Sequence, residues 1–101
     1  VYGGPHRLLA LFHLAKDEIE EAYIHASRAV ELAPDFLLNQ LVLAEVLWKL
    51  EQKSQSIERL NYIISRGPGV LPDALIENRD AVNCTERILQ EIKDRKEPKW
   101  E

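Results

Sequence analysis

Residues 9–34, LALFHLAKDEIEEAYIHASRAVELAP, decide how the chain is read, because residues 43–68, LAEVLWKLEQKSQSIERLNYIISRGP, repeat their framework. Leu9-Ala10, Ala22, Ala29 and Pro34 return as Leu43-Ala44, Ser56, Ile63 and Pro68, all displaced by the interval that separates Leu9 from Leu43. Such a period belongs to repeat architectures in which each unit is one helical hairpin and leaves an apolar face that only its neighbours can cover. No alternating run of β-branched residues lies between turn signals, so the expected fold class is all-α.

Outward from this stretch, Gly3-Gly4 reads as a flexible lead-in and Pro5 as a first-turn residue of a helix running to about Lys16. Asp17 and Glu20 have capping-box spacing and predict the start of a second helix, with Ile19, Ala22, Tyr23, Ala26, Ala29, Val30 and Ala33 as one apolar stripe. Pro34 stops it. Asp35 is the expected cap of a third helix, from Phe36 to about Glu51, which is apolar nearly all round and so buried on most sides. Ser54 is the expected cap of a fourth helix through Arg66, with Ile57, Leu60, Ile63 and Ile64 facing inward and Gly67 at a left-handed stop before Pro68. A closing helix follows from Asp73 to about Arg95, with a break near Asn78, and Glu97–Glu101 reads as a frayed tail onto which Trp100 could dock. The expected organisation is one domain: residues 3–36 and 37–70 as two hairpins, 71–101 as closing helix and tail.

Composition limits the function classes. The formal net charge is −4 with 13 Lys and Arg against 17 Asp and Glu, which does not suit a phosphate-binding surface, so no nucleic-acid partner is expected. Phe36 to Leu50, the longest apolar stretch, is too short for a bilayer and is interrupted by polar residues, so no membrane span is expected in this segment. Cys84 is the single cysteine; it supports neither a disulfide framework nor a thiolate zinc site and reads as a packing residue. The opening Val1-Tyr2-Gly3-Gly4-Pro5 leads us to expect a piece of a longer chain, which leaves cytoplasm and periplasm both open.

The repeated hairpin, with small residues at Ala10, Ala22 and Ala29 and a stop at Pro34, resembles the tetratricopeptide repeat family over roughly Gly3 to Gly69. Departures from its pattern are His6 and Gln40 at an aromatic position, Ser56 at a small one, and Lys53 at an apolar one. The resemblance implies a helical-hairpin solenoid whose concave groove is lined by the first helix of each hairpin: Arg7, Leu8, Leu11, Leu14 and Ala15, then Leu38, Leu41, Val42, Glu45, Trp48 and Lys49. Leu11 and Glu45 stand where family members that clamp a carboxylate carry Asn, and Leu cannot donate while Glu repels the ligand, so that mode is not expected. What remains is a mostly apolar groove, to be covered either by a preceding repeat or by a partner peptide or helix anchored on Leu11, Leu41 and Trp48, with Arg7, Glu45 and Lys49 beside it.

A narrower resemblance, carried by Tyr2-Gly3-Gly4-Pro5-His6, by Leu37-Leu38-Asn39 with Leu43-Ala44-Glu45, and by Leu75-Ile76-Glu77-Asn78 with Ala81 and Ile88-Leu89, is to the helical repeat lipoproteins associated with tripartite periplasmic (TRAP) solute transporters of bacteria. It implies an accessory, oligomeric subunit. Catalysis is not expected, nor a metal or other cofactor. His6 and His13 are seven apart without a carboxylate evident nearby, and Glu18, Glu20 and Glu21 are explained by the helix dipole. Nor is a nucleophile with its base apparent.

Overall fold

The computed structural model describes residues 1–101 and is all-helical. Its α-helices are α1 (Gly4–Ala15), α2 (Ile19–Leu32), α3 (Leu37–Lys49), α4 (Lys53–Arg66) and α5 (Leu75–Lys93), with two short 3-10 turns, Pro68–Val70 and Pro72–Ala74, before α5. α1 packs on α2 and α3 on α4, and α3 touches every other helix. The register of the sequence repeat reappears in the fold: α2 and α4 are offset by the repeat interval at both ends, Ile19 to Lys53 and Leu32 to Arg66. The ends of α1 and α3, Ala15 and Lys49, are offset by the same interval.

Two apolar clusters share α3 between them. Ala10, Ala22 and Ala26 meet Val42, Leu43, Val46 and Leu47 on one side. On the other, Leu37, Leu41 and Ala44 meet Leu60 and Ile63 of α4 and Ala81 and Ile88 of α5. Small residues at the first crossing let the helix backbones approach closely, and the Ser56 hydroxyl fills the matching place in the second hairpin by donating to the Ala44 carbonyl at 2.6 Å. The expected inner face of α4 is observed for Leu60 and Ile63, whereas Ile64 is exposed.

Several helix ends differ from the sequence reading. Gly3 is no flexible lead-in: it is buried at φ +70°, and a Cβ there would lie 2.9 Å from the Ala29 carbonyl oxygen. Asp17 does not cap α2; it lies at φ +60° as the reversal after α1. The Glu18 N–H reaches the His13 carbonyl at 2.8 Å and the Asp17 N–H the Leu14 carbonyl at 3.0 Å, the paired bonds of a Schellman turn. Glu51, the equivalent position of the second hairpin, repeats this at φ +63°, with Gln52 bonded to Leu47 and Glu51 to Trp48. Arg95 makes the third such turn after α5.

Neither Asp35 nor Ser54 caps a helix. Asp35 is drawn instead to α4, where Arg66 donates to both its oxygens at 3.2 and 3.1 Å and the Tyr62 hydroxyl donates at 2.9 Å. α4 begins at Lys53, one residue before Ser54, without a side-chain cap. Gly67 has a positive φ of 72° but an extended ψ of 168°, which feeds Pro68 rather than forming a left-handed turn. α5 is unbroken, and Asn78 is fully buried inside it; its side-chain oxygen accepts the Leu37 N–H at 2.8 Å and its amide donates to the Asp35 carbonyl at 3.0 Å. Leu75 and Ile76, at the start of α5, are exposed.

Candidate functional site

A cleft lies where α1 and α3 run side by side, and the segment that closes it is the main departure from the sequence reading. Glu97–Glu101 is not frayed. After the turn at Arg95 the chain runs back along α5 and lays Trp100 against Trp48, ring centroids 6.2 Å apart, with Pro98 buried behind it. The Trp48 indole N–H donates to the Glu97 carboxylate at 3.0 Å, the Glu91 carboxylate accepts the Lys99 backbone N–H at 2.9 Å, and Arg87 donates to the Glu101 carbonyl at 2.6 Å.

Of the residues singled out in sequence, Arg7, Leu11, Leu41 and Glu45 do come together: with Leu38, Val42 and Trp100 they wall a cleft of about 190 Å³. A second recess, of about 420 Å³, continues along Leu11, Leu14, Ala15, Glu45 and Lys49 to Trp100 and Glu101. Lys49 therefore sits at the far edge, 3.8 Å from Glu45. Trp48 stands apart from the cleft wall, beneath Trp100 and under the Lys53 ammonium, 4.8 Å above its ring. Leu8 points away from the groove and is 64% exposed.

The charges at the cleft have different roles. Arg7 is tied inward: its guanidinium donates to Asn39 Oδ1 at 3.0 Å and lies 4.8 Å over the Phe36 ring, and burial lowers its pKa. Asn39, which is fully buried, donates to the Tyr2 and Ala33 carbonyls at 2.8 and 3.0 Å, and Tyr2 stacks on Phe36. This network fixes the junction of the two hairpins, so Arg7 supports the cleft as much as it faces it. Glu45 has a raised pKa because burial disfavours its charge; Lys49 opposes that shift and Glu101 adds to it. Glu91 is held low, first by the Lys99 backbone N–H and then by Arg87.

A second grouping was not visible from spacing. All three histidines of the chain form one row between α1 and α2, His25 lying between His6 and His13 with centroids 5.5 Å from each. His6 and His25 Nδ1 atoms share a proton contact at 3.2 Å, and His13 Nδ1 is 2.8 Å from Glu18 Oε1, so a carboxylate does stand beside His13. Reading α1 alone misses this, because His25 comes from the other helix and Glu18 from the turn. No group of three or more His, Cys, Asp or Glu side chains has a metal-holding arrangement. Cys84 is half-buried, and burial pushes its thiol pKa up, against the pull of Arg87.

No helix is long and apolar enough to cross a membrane. The sequence was compared with protein-family models, with curated proteins and with solved structures, and none of the three gave a match.

Proposed function

We propose that the chain is a protein-interaction scaffold of the tetratricopeptide type, a helical-hairpin solenoid that holds a partner peptide or helix in the groove beside α1 and α3. The equal displacement of α2 to α4, and of the turns at Asp17 and Glu51, supports the repeat reading. The observation that carries the binding reading is the cleft itself: an apolar wall of Leu11, Leu38, Leu41 and Val42 with Arg7 and Glu45 among its lining residues, a small apolar recess with a few oriented charges. No covalent chemistry belongs to this reading. Leu11 is the residue to alter, because it is 41% exposed and its loss should not open the core. Leu11→Glu is expected to keep the helical circular-dichroism spectrum and melting temperature while abolishing capture of groove partners from the source organism; capture equal to that of the unaltered chain would refute the groove as the contact surface.

A second reading, an accessory oligomeric subunit of a TRAP-type periplasmic transporter, draws on the uncovered side of the first hairpin. Leu8 and Phe12 are 64% and 55% exposed, whereas Val42 and Val46, at the equivalent positions of the second hairpin, are 8% and 0% exposed under the alanines of α2. A contiguous apolar strip of this kind is suited to an interface. Sedimentation should then give a mass above that of the monomer, lowered by Phe12→Lys; a monomer at all concentrations contradicts it.

A further inference from the structure

We propose that the groove recognises an extended peptide carrying a tryptophan, and that Glu97–Glu101 is a resident occupant that such a partner displaces. This rests on the interaction-scaffold reading and names the ligand class of the same groove.

The way the segment is held is the way a foreign peptide would be held. Residues 96–101 have no regular structure, and two side chains of α5 read their backbone: Glu91 takes the Lys99 N–H at 2.9 Å and Arg87 gives to the Glu101 carbonyl at 2.6 Å. Arg87 and Glu91 also pair at 3.0 Å, which orients both. Because these bonds go to main-chain atoms, they are indifferent to the side chains at positions 99 and 101. The main anchor is the residue between them, Trp100, whose ring meets Trp48 and closes the cleft against Leu11 and Leu41. An aromatic anchor with alternate positions held through the backbone is a common form of peptide recognition.

The occupant is also imperfect. About 190 Å³ remains between Trp100 and the wall formed by Arg7, Leu38 and Val42. Glu101 lines the same recess as Glu45 and brings a negative charge toward that half-buried carboxyl, whose pKa burial already raises. A ligand with a neutral residue in that place, between Glu45 and Lys49, and with further apolar surface beyond the tryptophan, fits the groove better than the chain's own segment. A tethered occupant competes at an effective concentration in the millimolar range, enough to weaken an incoming ligand by about tenfold or more.

The test uses the full chain and a fluorescein-labelled synthetic hexapeptide of residues 96–101, followed by anisotropy. Trp100→Ala in the chain should bind the peptide saturably and about tenfold tighter than the unaltered chain does. A peptide carrying E101Q should bind tighter still, and one carrying W100A should not bind. Should Trp100→Ala fail to fold, Glu101→Gln in the chain serves instead: it strengthens the resident segment and should weaken peptide binding. Absence of peptide binding to a folded Trp100→Ala chain, or equal binding to altered and unaltered chains, overturns the proposal. So does a dimer that forms with rising concentration and is lost in Trp100→Ala, since the occupant is then a second copy's segment. If Leu11→Glu abolishes partner capture and the peptide still does not bind, the scaffold reading stands and this one alone falls.

Discussion

Asn78 Oδ1 accepts the backbone N–H of Leu37 at 2.8 Å, so the first turn of α3 is capped from α5, 41 residues away in sequence. The same side chain donates to the Asp35 carbonyl at 3.0 Å. One buried amide thus satisfies two backbone groups at the junction where the chain passes from the first hairpin to the second. Asn78→Ala removes the partner of both, leaving the Leu37 N–H unpaired in a buried position, and the expected loss of stability is about 2–3 kcal/mol, read from the urea midpoint at unchanged slope. A change below about 0.5 kcal/mol would mean that the bonds are not formed in solution.

Gly3 packs against Ala29 because glycine has no side chain and alanine only a methyl. At φ +70°, with a Cβ position 2.9 Å from the Ala29 carbonyl oxygen, Gly3→Ala meets both backbone strain and a clash, and should cost about 2 kcal/mol or more in thermal or denaturant unfolding. Gly69→Ala is the control: a Cβ there has nothing within 4 Å. It should shift stability by less than about 0.5 kcal/mol.

The turns at Asp17 and Glu51 hold non-glycine residues at φ +60° and +63°. A left-handed L-residue is strained by about 1–2 kcal/mol, and glycine relieves this while making the unfolded chain more flexible. Asp17→Gly and Glu51→Gly should therefore each stabilise by about 0.5–1 kcal/mol. The two sites lie in separate turns, so the double variant should show the sum in a denaturant titration.

Asp35 has a depressed pKa, first because Arg66 hydrogen-bonds to it and then because Tyr62 does. A carboxyl lowered in the folded state contributes stability that is present above its unfolded value, near 3.9, and is lost as pH falls through the folded value. Asp35→Asn should accordingly be less stable than the unaltered chain at pH 6, with the gap closing as pH is taken below about 4. A gap that does not change with pH would assign Asp35 a role other than its charge.

The hairpin pattern was legible because Ala10, Ala22 and Pro34 recur in register, and the burial of α3 because its residues are apolar on every side. The helix ends were less so. Asp17 is as good a helix cap as a turn residue by local chemistry, and what decides is the Glu18 N–H completing a bond to His13, which is geometry rather than composition. Asn78 looked like a helix breaker because a polar residue in an otherwise polar helix gives no sign of which backbone group it serves. That Arg7, Leu11, Leu41 and Glu45 line one cleft was anticipated only through the resemblance to the tetratricopeptide pattern, since nothing in their spacing alone brings α1 against α3. The docking of Glu97–Glu101 was not anticipated, since four of its five residues carry no signal beyond charge and turn chemistry, and only Trp100 hinted at a contact.

α3 is the one helix that touches the other four, and that position has a consequence for how the molecule opens. Its amides can be released only when the clusters on both of its sides are disrupted, so their hydrogen exchange should report global unfolding. α1, with Leu8, Leu9 and Phe12 exposed to solvent, has packing on one side and should exchange through smaller, local openings. The protein then has a rigid spine with a looser first hairpin, and the groove lies along the seam between them, where one wall yields before the other.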